Sequence, residues 1–354
     1  MCRITENNYN KITIGKNDPV VSFSQTKNKN QFITLKLVGD IVLPRNFTKG
    51  TNQKEPKIDN TYLDPLKPYL QGQDLLIGNL EGAITNYSIP RKAAGDNKYS
   101  FRSDYKSAEI LKDLKFDCLH IANNHTRDFY DQGLWDTRDF CQKNGILAAG
   151  LKDEIVCKDI RGVRFSFVGF HYANPEYFNS IHNTEKAVEL IKCARENSDV
   201  VVVTIHAGAE GASSANVSDK EEAYFREKRG NIYAFSRLLI DHGADLIVTS
   251  GPHIVRPIEI YKGKLIAYSL GNFLGYGGAF SRAGHLNYSL ILDVTVNASG
   301  DFVRGKVIPL VFDSNGIPQY DKKGKIIEII NKLNKTNFPH NTLEIDKTGV
   351  LECR

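Results

Sequence analysis

Apolar residues in this chain gather into short continuous runs, and between those runs they recur at helical spacing. From Phe32 the segment FITLKLVGD reads as a buried strand ending at Asp40. LDPLKPYLQ predicts a short helix interrupted by Pro68, and DLLIGNLEG a second strand ending near Asn79 and Glu81. SDYKSAEILKDL predicts a helix capped by Ser103 or Asp104, followed by a third strand in FDCLHIANNH. A helix over DQGLWDTRDFCQKNG closes at Gly145. Two apolar runs come next, near Ile155 and at VRFSFVGF. TEKAVELIKCAREN is amphipathic at helical period and leads into SDVVVVTIHAGAE, whose four valines run on to His206. The following helix places Phe225, Ile232, Phe235 and Leu239 on one face, ends at Gly243 and hands over to ADLIVTSGPH. RPIEIYKGKLIAYSLGNF holds a hairpin turned at Lys262-Gly263, and NYSLILDVTV and FVRGKVIPLVF add further strands. After Asp313 the chain is Lys/Asn-rich, with one helix predicted at KIIEIINKL. Alternating strands and helices predict an α/β domain, and strands apolar throughout predict sheets covered on both faces.

Five of these apolar runs end on polar side chains suited to metal binding or catalysis: Asp40; Asn79 and Glu81; Asn123, Asn124 and His125; His206 and Glu210; and His253. Each alone has an ordinary explanation as a turn former, helix cap or satisfied core histidine. Together they carry more, because the carboxyl ends of parallel strands gather on one edge, where ligands bind. A donor set of Asp, Glu, Asn and His without cysteine suits Mn²⁺, Fe or Zn²⁺, as one or two ions. Glu210 and His125 are the candidate catalytic groups. Arg102 and Arg229 are candidate anion-binding forks, with Asn272 of the glycine-rich YSLGNFLGYGG loop as a third substrate contact.

Composition narrows the classes. The 354 residues are 41% hydrophobic and 25% charged, as in an ordinary globular protein, and the net charge of +5 without basic blocks gives nucleic-acid binding no support. No apolar stretch is long enough to cross a bilayer, and no signal-peptide pattern is visible. Residues 1 to 31 are polar and read as a flexible tail, with the main domain over 32–315 and an extension over 316–354. The six cysteines are scattered without CxxC; Cys118 and Cys193 read as small buried hydrophobes. Cys2, heading a polar linker, reads either as an ordinary residue or as the acylation site of an envelope lipoprotein.

LVGDIVL, GNLEG, ANNHTRDFYDQGL, IHAGAE and GADLIVTSGPHIVRPIEIYKGKLIAYSLGNF together resemble the capsule-synthesis CapA/PgsA family, associated with poly-γ-glutamate production, over about Phe32 to Phe312. That family in turn resembles calcineurin-like metallophosphoesterases. The resemblance implies a four-layer α/β/β/α sandwich around a binuclear metal site. It implies Asp40, Glu81, Asn124, His206 and His253 as metal ligands, with Asn79 beside Glu81 as a further metal-site residue, and His125 as an acid or phosphate contact. Two positions depart from that pattern: Val42 stands at the histidine of the superfamily's Asp-x-His motif, and Ser250 where many capsule-family members have a histidine. Two functions follow as expectations. One is a metal-dependent hydrolase of a phosphoester or of an amide in an anionic capsule polymer. The other is a non-catalytic polymer-binding component of an envelope synthesis complex, partnered by membrane synthase subunits. Both imply the cell envelope as the location, with the cytoplasm left open.

Overall fold

A computed structural model of the chain describes residues 2–5, 11–14, 31–43, 61–91, 99–277, 279–340 and 343–353. Among these residues the strands form two large sheets, of eight and ten strands, in a mixed α/β fold. The centre of the first sheet is parallel: Val163–His171 pairs with Val200–His206, which pairs with Leu246–Ser250. The centre of the second is parallel as well, running from Asn272–Gly275 through Phe32–Val42 and Leu75–Leu80 to Cys118–His120.

The apolar runs are continuous because each strand is covered on both sides. Val200 and Val202 join a cluster that also holds Leu35, Leu37, Leu75 and Ile77 of the other sheet. Their neighbours Val201, Val203 and Ile205 turn the opposite way, onto Leu190, Ile191, Phe235 and Leu239 of the helices Thr184–Glu196 and Ile232–Asp241. In the second sheet Leu76 and Leu80 turn outward to Ile110, Leu111, Leu134 and Phe140 of the helices Tyr105–Asp113 and Tyr130–Lys143. The strand period of two thus splits one run of valines and leucines between a core shared by the sheets and a core under helices.

Local signals operate as expected at several points. Asp104 caps its helix, its side chain accepting from the Ser107 amide at 2.7 Å. Lys262 and Gly263 both adopt positive φ in the two-residue turn joining Ile258–Tyr261 to Lys264–Ala267. Elsewhere the structure differs. Phe225 is not on the helical face; it stands 77% exposed at the tip of a hairpin formed by Glu222–Tyr224 and Glu227–Gly230. Residues after 316 add strands to the expected helix: Leu343–Ile345 and Val350–Cys353 extend the second sheet, and Ile326, Ile330, Leu343 and Leu351 enter the shared core. Cys2–Thr5 is a strand paired with Glu154–Ile160, and its Ile4 is buried, so the first residues are not a tail; most of 6–30 lies outside the described residues. Cys2 is bonded to Cys193, which is therefore not a free core thiol, and lipid attachment at that sulfur would require the bond to open.

Candidate metal centre

Strand register brings two polar rows to one edge of the fold. In the second sheet Asn272, Asp40, Asn79 and His120 lie side by side; in the first, His171, His206 and Ser250 do. All these pairings are parallel, so the carboxyl ends of the strands meet face to face across the shared core. Gly39 permits the close approach on the Asp40 side, since a Cβ there would stand 1.9 Å from the Gly271 carbonyl oxygen.

The central group is Glu81, fully buried one residue past its strand. Its Oε1 lies 3.6 Å from Nε2 of His253, 3.8 Å from Nε2 of His125 and 3.9 Å from Nε2 of His206. These separations are too long for hydrogen bonds. Among the described residues neither Glu81 oxygen has a hydrogen-bond partner, and neither do Oδ1 of Asn124 or Nε2 of His206. Burial pushes the Glu81 carboxyl well above its ordinary range, with nearby Asp40 and Glu210 adding to the rise and His253 opposing it. For His206, burial and then the neighbouring imidazoles drive the pKa well down, so its ring is neutral and able to ligate. His253 is disfavoured as a cation by burial, yet Glu81, Asp40 and Glu210 outweigh that and raise it to about 10. The cluster therefore calls for positive charge among its carboxylates.

The surrounding amides orient this group. Asn79 donates to Oδ1 of Asp40 at 2.7 Å and faces Nδ1 of His206 at 3.2 Å, while its own oxygen accepts from Asn123 at 3.1 Å. Asn79, expected as a ligand, thus has its acceptor committed within the protein. Asn123 is architectural: its oxygen accepts from the amides of His125 and Thr126, which turns the chain sharply. Nδ1 of His253 stands 3.0 Å from both Oδ2 of Asp40 and Oδ1 of Asn272, two acceptors that place the proton on Nδ1 and aim Nε2 at Glu81. Asn272 also donates to the His253 carbonyl at 3.2 Å, so this expected substrate contact holds a histidine instead. His253 itself sits at φ 57°, beside Gly251 at φ 107°, in a loop bent onto Asp40.

His125 is held by Asp128, whose Oδ2 accepts from Nδ1 at 2.6 Å, and its ring lies 4.1 Å from that of Phe101. Glu210 reaches within 3.9 Å of His253 Nε2, and its other oxygen pairs with Arg229 at 2.9 Å. Arg229 is buried, pairs also with Glu227 at 2.9 Å, and lies 4.1 Å over the Tyr172 ring. Its fork is spent on this chain's own carboxylates, and its place here is to fix Glu210. Arg102 contacts the carbonyls of Asn86 and Tyr87 and lies over Phe129, outside the carboxylate–histidine cluster. Val42 is buried and apolar, and Ser250 offers a hydroxyl 3.2 Å from Nδ1 of His206.

Asp128, Phe101 and His171 belong to this region and were not singled out in the sequence. The spacing His125-x-x-Asp128 was available as a signal. His171 follows VRFSFVGF directly and obeys the same strand-end rule as the others.

The donors fit a divalent ion: Asp40, Glu81 and His206 each offer an atom within 4.8 Å of the other two, and the unpartnered atoms are oxygen and nitrogen only. The profile described as "Bacterial capsule synthesis protein PGA_cap" matches residues 34–276. The PGA biosynthesis protein CapA of Bacillus subtilis is 31% identical over 257 residues, covering 68% of this chain and 63% of that protein. The capsule biosynthesis protein CapA of Bacillus anthracis is 28% identical over 265 residues, covering 70% and 60%. This chain thus spans less than two thirds of either relative's length. A solved 5'-nucleotidase precursor from Thermus thermophilus superposes with a TM-score of 0.42 at 13% identity, covering 86% of this chain and 59% of that one.

Proposed function

The chain belongs to the bacterial capsule synthesis family described as PGA_cap, and from that premise we propose that it is a metal-dependent hydrolase serving production of an anionic, poly-γ-glutamate-type capsule polymer. Its substrate class is a phosphoester or an amide of the polymer, and its fold is the four-layer α/β/β/α arrangement. Two sheets sharing one core, with helices against their outer faces, support the fold reading. The observation that carries the functional reading is the set of buried, unpartnered atoms on Glu81, Asn124 and His206, with three imidazoles drawn toward one carboxylate at 3.6–3.9 Å. Buried oxygen and nitrogen atoms need partners, and Asp40, Glu81 and His206 each offer one within 4.8 Å of the other two, a donor set that suits a divalent ion.

Asp40, Glu81, Asn124, His206 and His253 would hold the ion. Bound there, a divalent cation supplies Lewis-acid activation of a phosphoryl or carbonyl oxygen. Asp128 keeps the His125 proton on Nδ1, so Nε2 on the Glu81 side can take up a second proton and deliver it to a leaving group. Arg229 holds Glu210 at the rim, 3.9 Å from Nε2 of His253. Phe101 and Phe280 cover the His125 and His253 rings and limit the access of water.

The second reading is a polymer-binding component without turnover, favoured by Val42 and Ser250 in place of nitrogen donors. Elemental analysis of the purified protein, beside hydrolysis of bis(p-nitrophenyl) phosphate and of poly-γ-glutamate with added Mn²⁺, separates the two. Metal-dependent turnover of either substrate supports the hydrolase. Bound metal and polymer binding without turnover would leave the binding component. Absence of any divalent-metal affinity would overturn the metal centre. For location we propose the cell envelope: the Cys2–Cys193 bond suits an oxidising compartment.

A further inference from the structure

One imidazole at this edge has no role in the centre as drawn so far. His171 ends the Val163–His171 strand, fully buried, with its amide donating to the Asn179 carbonyl at 2.8 Å and its own carbonyl accepting from the Ile181 amide at 3.1 Å. Its Nδ1 lies 2.9 Å from the Ala173 carbonyl oxygen. The Ala173 amide also approaches, at 3.3 Å, but the carbonyl is nearer and can only accept. The proton therefore sits on Nδ1, and Nε2 is a bare lone pair. Among the described residues that nitrogen has no hydrogen-bond partner.

Its position relative to His206 gives this lone pair a use. Register sets His171 and Ser250 on either side of His206, in one row across three parallel strands. The His171 and His206 ring centroids are 5.6 Å apart. With metal–nitrogen bonds of about 2.0–2.1 Å, two imidazoles on one ion have ring centres roughly 5–6 Å apart. The Nε2 atoms of both rings are the unpartnered ones. On the Ser250 side there is only a hydroxyl, turned to Nδ1 of His206. Of the two residues flanking His206, His171 is thus the one that offers a nitrogen.

We propose that His171, through Nε2, is a ligand to the divalent cation that His206 helps to hold. This rests on the metal-centre reading above, so its test must separate the two.

Full-length protein stripped of metal and titrated with Co²⁺ does so, read by elemental analysis and by visible absorption of the bound cobalt. Wild type should bind Co²⁺. His171→Ala should bind it more weakly by about 10-fold or more, since losing a direct ligand should cost at least what losing an outer partner does. Its cobalt spectrum should also change in position and intensity, which a purely structural role would not produce. Failure of wild type to bind Co²⁺ would overturn the metal centre itself. Unchanged affinity and spectrum in His171→Ala, with wild type binding normally, would overturn this inference alone. Should His171→Ala not fold, imidazole ¹⁵N shifts of wild-type protein titrated with Zn²⁺ decide the matter. Movement of the His171 Nε2 resonance on binding supports ligation, and its staying fixed overturns it.

Discussion

Asn123 and Asn124 are adjacent and chemically identical, yet they do opposite things. The first spends its oxygen on three donors from His125 and Thr126; the second keeps a buried oxygen without a partner. Only the local turn decides which amide oxygen is spent within the protein. The same turn sets His125 against Asp128, and that pair supports a prediction. Asp128→Asn removes the charge that holds the Nδ1 proton, so turnover should fall by roughly 10-fold or more, and His125→Ala by about 10²-fold or more. Neither residue is assigned as a ligand, so both variants should retain the metal content of wild type. Rates and elemental analysis on the same preparations check this; lost metal in His125→Ala would make it a ligand instead.

Strand ends were the legible part of the site. Asp40, Glu81, His206 and His253 each follow an apolar run, and parallel topology brings them together. Sequence did not show what each amide faces: Asn79 and Asn272 were expected to contact metal and substrate, but cross-strand partners turn them onto Asp40 and His253. Nor did it show Phe225 in a hairpin, because a large apolar residue at helical spacing from Ile232 cannot be told from a helical one by period alone. Two predictions belong to the strands. Gly39→Ala would place a Cβ 1.9 Å from the Gly271 oxygen, forcing the Asn272–Gly275 strand off Asp40. It should lower stability by roughly 1–3 kcal/mol in urea denaturation and weaken metal binding. The other concerns His120, which links the sheets: Nδ1 stands 2.7 Å from Oγ1 of Thr204, and Nε2 2.7 Å from the Ala122 carbonyl. Burial lowers its pKa to about 4 in spite of that carbonyl and Asp40. The unfolded chain takes up a proton below about pH 6.5, while the folded one does not until about pH 4. Stability present above 6.5 should therefore fall as pH drops toward 4, by about 3 kcal/mol from this group. Denaturation of metal-free protein across that range should show a shallower slope in His120→Gln; an unchanged slope would assign the effect to His171 and His206, which are also depressed.

At the scale of the whole molecule, the N-terminal strand tests how far the fold extends. Composition argues for a tail, since residues 1 to 31 lack apolar periodicity. The structure instead lays Cys2–Thr5 beside Glu154–Ile160, buries Ile4 among Ile155, Cys157 and Ile191, and hydrogen-bonds Thr5 to Glu154 at 2.8 Å. Four residues are too short a signal for periodicity to register, and their pairing depends on a partner some 150 positions away. The Cys2–Cys193 bond spans a sequence separation of 191, a long loop to leave open in the unfolded chain. Closing such a loop should add about 2–4 kcal/mol of stability. Reductant should therefore lower the denaturation midpoint of wild type and leave that of Cys193→Ser unchanged. Cys118, Cys141 and Cys157 are already free and buried, so among the described residues reductant has no other bond to act on. Deleting residues 1–5 should cost at least as much as opening the bond, because Ile4 and the strand pairing go with it. Equal midpoints for wild type, reduced wild type and the deletion would mean that the strand does not dock in solution, and the first sheet would then end at Glu154–Ile160.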